Sequence, residues 1–576
     1  MSSRSDNLIL AVDEDLGNLV IGDYSAHNMP PDATYRQFSA TYLRSNLLKK
    51  FVQGKFSDAD DNAMRKFETS NLRCRDWVLP ALDERDSILL NLMKVELDGF
   101  FHPEGDLLFS SYDEILAEGR TGPGSAIQAN GQSFYAKMFA SNLTCTSPSL
   151  YFEYINYIAK VQDTWAQADK NRRSSLGSFR VVNGSKISFA PKTTDVSRLI
   201  CVEPSLNQFY QLGLGRLMEA RLRSSFKVDL STQPDINRRL ARSGSIDGGF
   251  STIDLSSASD SISLGMCKEL LPGWVYDTLL EIRSPTYTFK GQSRELFMMS
   301  TMGNGFTFPL QTIIFSSLIR AVYRFLDIPL GDRVTRTWAC FGDDIIVKRE
   351  TFDTVIRLLG LLGFDVNQTK TFSKGRFRES CGSDWLFGQP VRPVFVKKLD
   401  SLQDIFVAIN LLNMWSAYTG LPLVRAVQYL LSLVRRGVMN HAIPFDENID
   451  AGVRVPYRFF DINPKRDLNG SVVYHVTVPV PRKIFIREES IKTPRGMKKL
   501  HFNPQGLFMS LLHGELVSGT ISVRHDSVRY RSKSRVTPRW DYYSCQELLN
   551  GMIPEWQRWE TAVLVNTSNP SESWEG

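Results

Sequence analysis

A chain of 576 residues can bury several hydrophobic cores, and 42% hydrophobic with 23% charged residues is the balance of a globular protein in two to four subdomains, neither disordered nor membrane-embedded. The net charge of +6 is compatible with a polyanionic partner but too small to demand one. Seven scattered cysteines without a Cys-x-x-Cys and seven dispersed histidines exclude a disulfide framework and a zinc site, and point to a reducing compartment. The segment Met1–Asn7 lacks the apolar stretch of a signal peptide, and the apolar runs 405–418 and 421–434 are broken by Asn413 and Arg425. A soluble intracellular protein is expected.

Taken in order, residues 1–75 show no clear period, and 76–100 read as helix. Gly119-Arg120-Thr121-Gly122-Pro123-Gly124-Ser125 is a flexible polar loop, suited to touching phosphates or simply a surface turn. Between Ser188 and Val202 two short apolar runs bracket a loop carrying Lys192 and Arg198, a pair of cations suited to a triphosphate or simply solvated. A helix from about Ser205 to Arg223 follows. Ser251 to Leu255 reads as a strand, and the Ser/Asp cluster after it predicts a helix running to about Leu271, where Pro272-Gly273 ends it. Asp254 then stands where a buried strand runs out. Asp260 falls in the first helical turn, where the helix dipole alone would favour it.

A hairpin-like region, Tyr287–Met299, leads to Ser300-Thr301-Met302-Gly303-Asn304-Gly305-Phe306-Thr307-Phe308-Pro309 and a long apolar helix reaching Phe325. Gly303 and Gly305 around Asn304 free the backbone just before a helix N-terminus, where amides can meet sugar or phosphate oxygens. Residues 351–363 read as helix, Phe377–Gly388 as a hairpin, and 401–419 and 422–437 as two helices split at Gly420-Leu421-Pro422.

The most informative stretch is Trp338-Ala-Cys-Phe-Gly342-Asp343-Asp344-Ile-Ile-Val347. Apolar runs on both sides of Gly-Asp predict a tight hairpin that lifts two adjacent carboxylates to its tip. Adjacent carboxylates repel unless a cation joins them, and a hard divalent ion such as Mg²⁺ prefers carboxylate oxygen. A small sheet could unite Asp343 and Asp344 with the strand-end Asp254. Three carboxylates of this kind can hold two Mg²⁺ for in-line phosphoryl transfer, with Mn²⁺ equally acceptable to oxygen ligands.

The C-terminal part changes character. Seven basic and two acidic residues lie between Arg482 and Lys499, and six basic residues interleave with Tyr530, Trp540, Tyr542 and Tyr543 between Arg524 and Tyr543. Cations mixed with aromatics can track a nucleic-acid backbone and stack on bases. Arg529, Arg531 and Arg535 are the candidate RNA contacts.

The ordered set Pro191-Lys192 through Arg198-Leu-Ile-Cys-Val-Glu-Pro, Gln211-Leu-Gly-Leu-Gly, Ile253-Asp-Leu-Ser-Ser-Ala-Ser-Asp-Ser-Ile-Ser-Leu, Ser300 to Phe308, Phe341-Gly-Asp-Asp-Ile-Ile, and Lys370-Thr-Phe-Ser with Phe377-Arg-Glu-Ser-Cys-Gly resembles the RNA-directed RNA polymerases of levivirus-like single-stranded RNA bacteriophages, in their catalytic subunit. The likeness is good over 190–390 and weak before 120 and after 400. It implies an α+β right hand with fingers, a palm built on an antiparallel sheet, and a helical thumb. Residues 1–190 would be rich in fingers, 191–390 would hold the palm, 391–500 the thumb, and 501–576 a basic and aromatic extension.

By the same resemblance Asp254, Asp343 and Asp344 bind the metal, Lys192 and Arg198 meet the incoming triphosphate, and Asp260 helps read the ribose. Gly303, Asn304 and Thr307 belong to the loop and helix that position nucleotide and template. Lys370, with Lys374 close by, is the lysine that protonates pyrophosphate. Where many viral RNA polymerases carry an Asn eight residues after that loop Gly, Gln311 stands here. The resemblance further implies RNA template and product, ribonucleoside triphosphates, initiation without a primer, and work in the cytoplasm of a bacterial host. The partners would be host elongation factors Tu and Ts and further host RNA-binding proteins, with no membrane. A reverse transcriptase, or a non-catalytic RNA-binding protein on a polymerase scaffold, are the alternatives.

Overall fold

The computed structural model describes residues 3–567 except 53–56, 162, 194, 332–334, 435–440, 446, 457–465, 481, 486–491, 494–495, 498–500, 515, 518–519, 524–528 and 537–552. Helices and small antiparallel sheets alternate throughout, so the fold is mixed α+β as expected.

The largest core runs from Leu89 to Phe364 and takes in Met509. Its axis is the helix Thr307–Phe325, nearly all of whose residues are buried, which packs along the helix Glu84–Phe101. An apolar helix buried on every side is what its sequence dictates, since few of its residues could face water. A second core joins Leu8–Leu47 to Val394–Val476, so the N-terminal helices Arg4–Leu16 and Tyr35–Asn46 sit against the helices Leu402–Thr419 and Val424–Ser432.

Several expectations change. Residues 1–75, which lack a clear period, hold three helices: Arg4–Leu16, Tyr35–Asn46 and Ser57–Asp76. Two carried a readable start signal, the capping boxes Ser3-x-x-Asp6 and Thr34-x-x-Gln37. The helix expected over 76–100 begins only at Glu84, capped by Asp83. The helix expected from the Ser/Asp cluster to Leu271 is split into a 3₁₀ turn, Ala258–Asp260, and a short helix, Leu264–Leu270. Ser263 between them forms a β-bridge to Met298, a tertiary demand that local propensity does not carry. Pro272-Gly273 does not simply stop a helix: Pro272 is the N-cap of the next one, Gly273–Ile282.

The small sheet expected to unite the aspartates exists. Strand Asp344–Lys348 lies between Phe250–Ile253 and Ala339–Phe341, antiparallel to both. A second sheet carries the cationic loop on Ser185–Pro191 and Ser197–Val202. Among the described residues no helix is long and apolar enough to cross a membrane.

Candidate active site

The hairpin at Gly342-Asp343 is a two-residue turn, with Phe341 paired to Asp344 across it. Gly342 has φ +60° and Asp343 is not among the positive-φ residues, the pattern of a type II′ turn, whose twist suits a hairpin. The turn is seated on the first turns of helix 307–325. The Gly342 amide donates to Thr312 Oγ1 at 3.1 Å, and the Phe308 ring meets Phe341 edge-on at 4.7 Å. A Cβ on Gly342 would lie 2.4 Å from the Phe308 ring, so glycine is required by both dihedral and space.

Register then sets the carboxylates side by side. Ile345 pairs with Ile253, and the next step along both strands brings Asp344 opposite Asp254. Asp254 lies between strand 250–253 and the two-residue strand Leu255–Ser256, which turns to pair with Asp365–Val366. Its Oδ2 accepts from Asn367 Nδ2 at 2.7 Å and its Oδ1 from Lys370 Nζ at 3.4 Å. Asp344 accepts from Ser380 Oγ at 3.4 Å and Cys381 Sγ at 3.6 Å, both from the hairpin 377–386. Behind it, fully buried Asn237 donates to the Asp344 carbonyl at 3.1 Å and to Ser380 Oγ at 3.2 Å. Asn367 and Asn237 were not legible as site residues, because each reaches the aspartates only through tertiary contact; Ser380 and Cys381 stood in the motif Phe377–Gly382 but with no role assigned.

The electrostatics are those of anions crowded together. Burial, then Asp344 and Asp254, push the Asp343 carboxyl up to about 6. Burial and the Asp254 charge also raise Asp344, against the opposing amide of Cys381. Burial alone would lower the Lys370 ammonium, but the Asp254 and Glu379 carboxylates outweigh it and its pKa rises. Between the two candidate lysines, Lys370 reaches Asp254, while Lys374 is exposed and its carbonyl accepts from Arg378. Desolvation, then Arg198 and Lys370, lower Lys192, so the cationic loop faces the same centre.

Among the described residues no group of three or more His, Cys, Asp or Glu side chains is arranged to hold a metal ion. Asp254 and Asp344 are each turned to a neighbouring donor instead. The donor chemistry nonetheless fits a divalent cation: three carboxylates supply hard oxygens, and their mutual repulsion is what such an ion relieves.

The nucleotide-side residues form a second group. Asn304 Oδ1 accepts from the Thr301 amide at 2.8 Å and Thr301 Oγ1 at 2.9 Å, and Thr307 Oγ1 donates to the Thr301 carbonyl at 2.8 Å, closing the loop on itself. Gly303 has φ +143°. Burial pushes Asp260 up to about 6 against hydrogen bonds from Ser259 and the Met302 amide, which ties it to this loop. Gln311 is buried one turn into the helix, and its Nε2 has no hydrogen-bond partner among the described residues. The turn 119–125 rests on helix 205–225, where buried Lys137 donates to the Gly122 carbonyl at 2.6 Å and Gln208 Oε1 at 3.0 Å.

The candidate RNA-contacting arginines divide. Strand Arg529–Val536 pairs with Val473–Val480. Arg535 is committed to both oxygens of Glu447, at 2.7 and 2.6 Å, whereas Arg531 is exposed. Nothing is described of the Arg529 side chain, and Arg524, Trp540, Tyr542 and Tyr543 lie outside the described residues.

A sequence profile for "RNA replicase, beta-chain" matches residues 2–440, more than half of the chain and the whole span from Lys192 to Lys370. The chain belongs to this replicase family. It is 31% identical over 442 residues to the RNA-directed RNA polymerase beta chain of Enterobacteria phage fr, covering 72% of this chain and 74% of that one. Identity is 40% over 244 residues with the beta chain of Escherichia phage MS2 (42% and 43% covered), and 38% over 239 residues with the polymerase subunit beta of Escherichia virus Qbeta (41% and 39%). Among solved structures, the RNA-dependent RNA polymerase of a human picobirnavirus aligns with a TM-score of 0.40 at 11% identity, over 65% of this chain and 74% of that one, a likeness too slight to build on. The replicase chain is thus an RNA-directed RNA polymerase, an enzyme that makes RNA on an RNA template and binds both RNA and ribonucleotides.

Proposed function

We propose that Asp254, Asp343 and Asp344 form the nucleotidyl-transfer centre and hold two divalent ions, Mg²⁺ or Mn²⁺. The single observation behind this reading is the register that sets Asp344 opposite Asp254 with Asp343 at the adjoining turn. Bound there, the ions would activate the attacking hydroxyl and neutralise the phosphates of nucleotide and leaving pyrophosphate.

The chain's own residues do the rest. Lys192 and Arg198 bind the triphosphate, Arg by its fork and Lys as a point charge. Asp260, with the loop Gly303–Thr307 around Asn304, meets the ribose and base, and the free Nε2 of Gln311 is a donor for the same sugar. Lys370 is held against Asp254 as an ammonium and gives its proton to the departing pyrophosphate, a role in which Lys374 has no part.

In this reading residues 191–390 are the palm and 1–190 are rich in fingers. Residues 391–500 are the thumb, with the N-terminal helices packed on its core, and 501–576 are an extension. Synthesis starts without a primer. The relatives' names, "beta chain" and "subunit beta", favour a complex, which we assign to host elongation factors Tu and Ts and further host RNA-binding proteins in the cytoplasm of the infected bacterium. Arg531 contacts template or product RNA, as does Arg529 on the same strand; Arg535 is assigned to the fold.

The test is incorporation of labelled ribonucleotides on an RNA template with Mg²⁺ or Mn²⁺, with and without the two factors, comparing wild type with Asp343→Asn. Retention of a γ-phosphate label in the product reports initiation without a primer. Incorporation that survives in Asp343→Asn sinks the proposed centre, and unchanged synthesis without the factors sinks the partnership.

A further inference from the structure

Two sequence motifs, Glu203-Pro204 and Gln211-Leu-Gly-Leu-Gly215, carry family likeness yet take no part in the chemistry above. In the structure they converge on the loop between Ser300 and Thr307. The Gln211 side chain is fully buried. Its Nε2 donates to Glu203 Oε2 at 3.0 Å and to the Ile282 carbonyl at 2.9 Å, while its Oε1 accepts from the Gly305 amide at 3.3 Å. Ser284 Oγ holds Glu203 Oε2 from the other side at 2.7 Å.

Around this latch the loop meets bare backbone. A Cβ on Gly215, one helical turn after Gln211, would stand 2.7 Å from the Gly305 carbonyl oxygen, and a Cβ on Gly305 would stand 2.6 Å from the Leu212 nitrogen. On the opposite flank a Cβ on Gly303 would lie 2.0 Å from the Cys201 carbonyl oxygen, and the Cys201 amide donates to the Met302 carbonyl at 2.8 Å. The loop is wedged between strand 197–202, which also carries Arg198, and helix 205–225.

We propose that Gln211 and Glu203 are positioning residues for the nucleotide site: the Gln211 carboxamide, oriented by the Glu203 carboxyl group, fixes the Gly303–Thr307 loop in the form that meets the incoming ribonucleotide. The proposal rests on the assignment of that loop to the nucleotide made above. Orientation is the physical point. With Nε2 claimed by Glu203 and Ile282, only Oε1 can face Gly305; the flipped amide would set donor against donor and acceptor against acceptor. Losing the latch frees the loop, and ordering it again weighs on nucleotide binding more than on the chemical step.

The test uses the full-length chain as wild type, Gln211→Met, Gln211→Glu and the swap Glu203→Gln/Gln211→Glu. Two quantities are read: amide hydrogen exchange across 300–307, and KM and kcat for ribonucleotides in RNA-templated synthesis. Losing the hydrogen bond from the Gly305 amide, one of three that the Gln211 carboxamide makes, predicts exchange and KM both raised ~10-fold in Gln211→Met, with kcat changed less than ~3-fold. Gln211→Glu, which sets two carboxyl groups together, does worse, and the swap returns both readouts to within ~3-fold of wild type.

Loop exchange unaltered in Gln211→Met, or a swap no better than Gln211→Glu, overturns the latch. Should Gln211→Met fail to fold, the swap against Gln211→Glu decides alone. Faster loop exchange with KM unmoved overturns the loop's assignment to the nucleotide, and this proposal with it, while polymerase activity stands. A wild type that makes no RNA counts against the proposed function, and the exchange measurement still decides the latch.

Discussion

Asp344 stands opposite Asp254, one register step beyond the Ile345–Ile253 pair of two antiparallel strands. Ninety residues apart in the chain, the two carboxylates are neighbours because the strand after the Gly342-Asp343 turn returns alongside 250–253. Asp343 at the turn completes a cluster in which burial and the Asp254 charge raise the carboxyls of both Asp343 and Asp344.

Asp343→Asn removes one of three crowded charges. RNA synthesis should fall by ~100-fold or more if the aspartate holds a metal ion, since such an ion contributes several kcal/mol to the transition state. Because the Asp343 carboxyl is raised to about 6, its charging costs the folded state stability as pH rises from its ordinary value of 3.8 to about 6. Melting curves at pH 8 without divalent ions should therefore show the variant at least as stable as wild type. Added Mg²⁺ should raise the wild-type melting temperature more than the variant's. Equal shifts in both would place the ion elsewhere.

Lys370→Gln leaves the Asp254 carboxylate with Asn367 as its one remaining donor among the described residues, and slows synthesis by roughly 10- to 100-fold if the ammonium donates a proton. Lys374→Gln, at an exposed side chain, should stay within ~2-fold of wild type. Single-turnover incorporation measures both, and the reverse ranking would move the acid to Lys374.

Glu203 supplies a stability signature of its own. Burial pushes its carboxyl up to about 7 from an ordinary 4.5, against hydrogen bonds from Gln211 and Ser284 and the Arg283 charge. The folded chain holds this proton where the unfolded chain has lost it, so stability falls as pH rises from about 4.5 to about 7 and stays low above that. Glu203→Gln should flatten this part of the profile and, at pH 8, be more stable by up to ~3 kcal/mol. Urea unfolding across pH 4.5 to 8 measures it, and parallel profiles for the two proteins would refute it.

Gly342→Ala asks an L-residue to adopt φ +60° and drives a Cβ into Phe308. The dihedral alone costs ~1–2 kcal/mol, and Phe308 must move as well. Synthesis should be lost with the fold otherwise kept, as judged by a melting temperature lowered by only a few degrees.

Arg535→Ala and Arg531→Glu should behave differently. Losing Arg535 strips Glu447 of its cation and costs ~1–3 kcal/mol of stability. Reversing Arg531 should leave the melting temperature unchanged, weaken RNA binding, and lower the salt slope by about 0.7 if it meets one phosphate of a single strand. Filter binding across salt concentrations separates the two, and an unchanged slope in Arg531→Glu removes that residue from the RNA surface.

Local chemistry made much of the centre legible. Gly342-Asp343 between apolar runs is a hairpin whatever surrounds it, Gly303 and Gly305 mark a backbone freed just before a helix N-terminus, and Asp254 at the end of a buried strand needs a reason to be there. Helices 307–325 and 205–225 were equally plain, the first from its long apolar run and the second from its amphipathic pattern. The N-terminal helices 4–16 and 35–46 were missed because their apolar faces are completed by residues nearly 400 positions away, in the second core. The run from the Ser/Asp cluster after Leu255 to Leu271 was misread as one helix because Ser263 bridges to Met298.

By itself the sequence determined which groups can do chemistry here and in which local element each sits, because turns, caps and amphipathic helices are set by neighbours a few residues apart. Only the tertiary structure decided which groups meet. The step from Ile253–Ile345 to Asp254–Asp344, the contact of Lys370 with Asp254, the pairing of Arg535 with Glu447 and the hydrogen bonds from Glu203 through Gln211 to Gly305 all depend on strand register and helix packing. Those are fixed by burial of side chains far apart in the chain, and no local pattern encodes them.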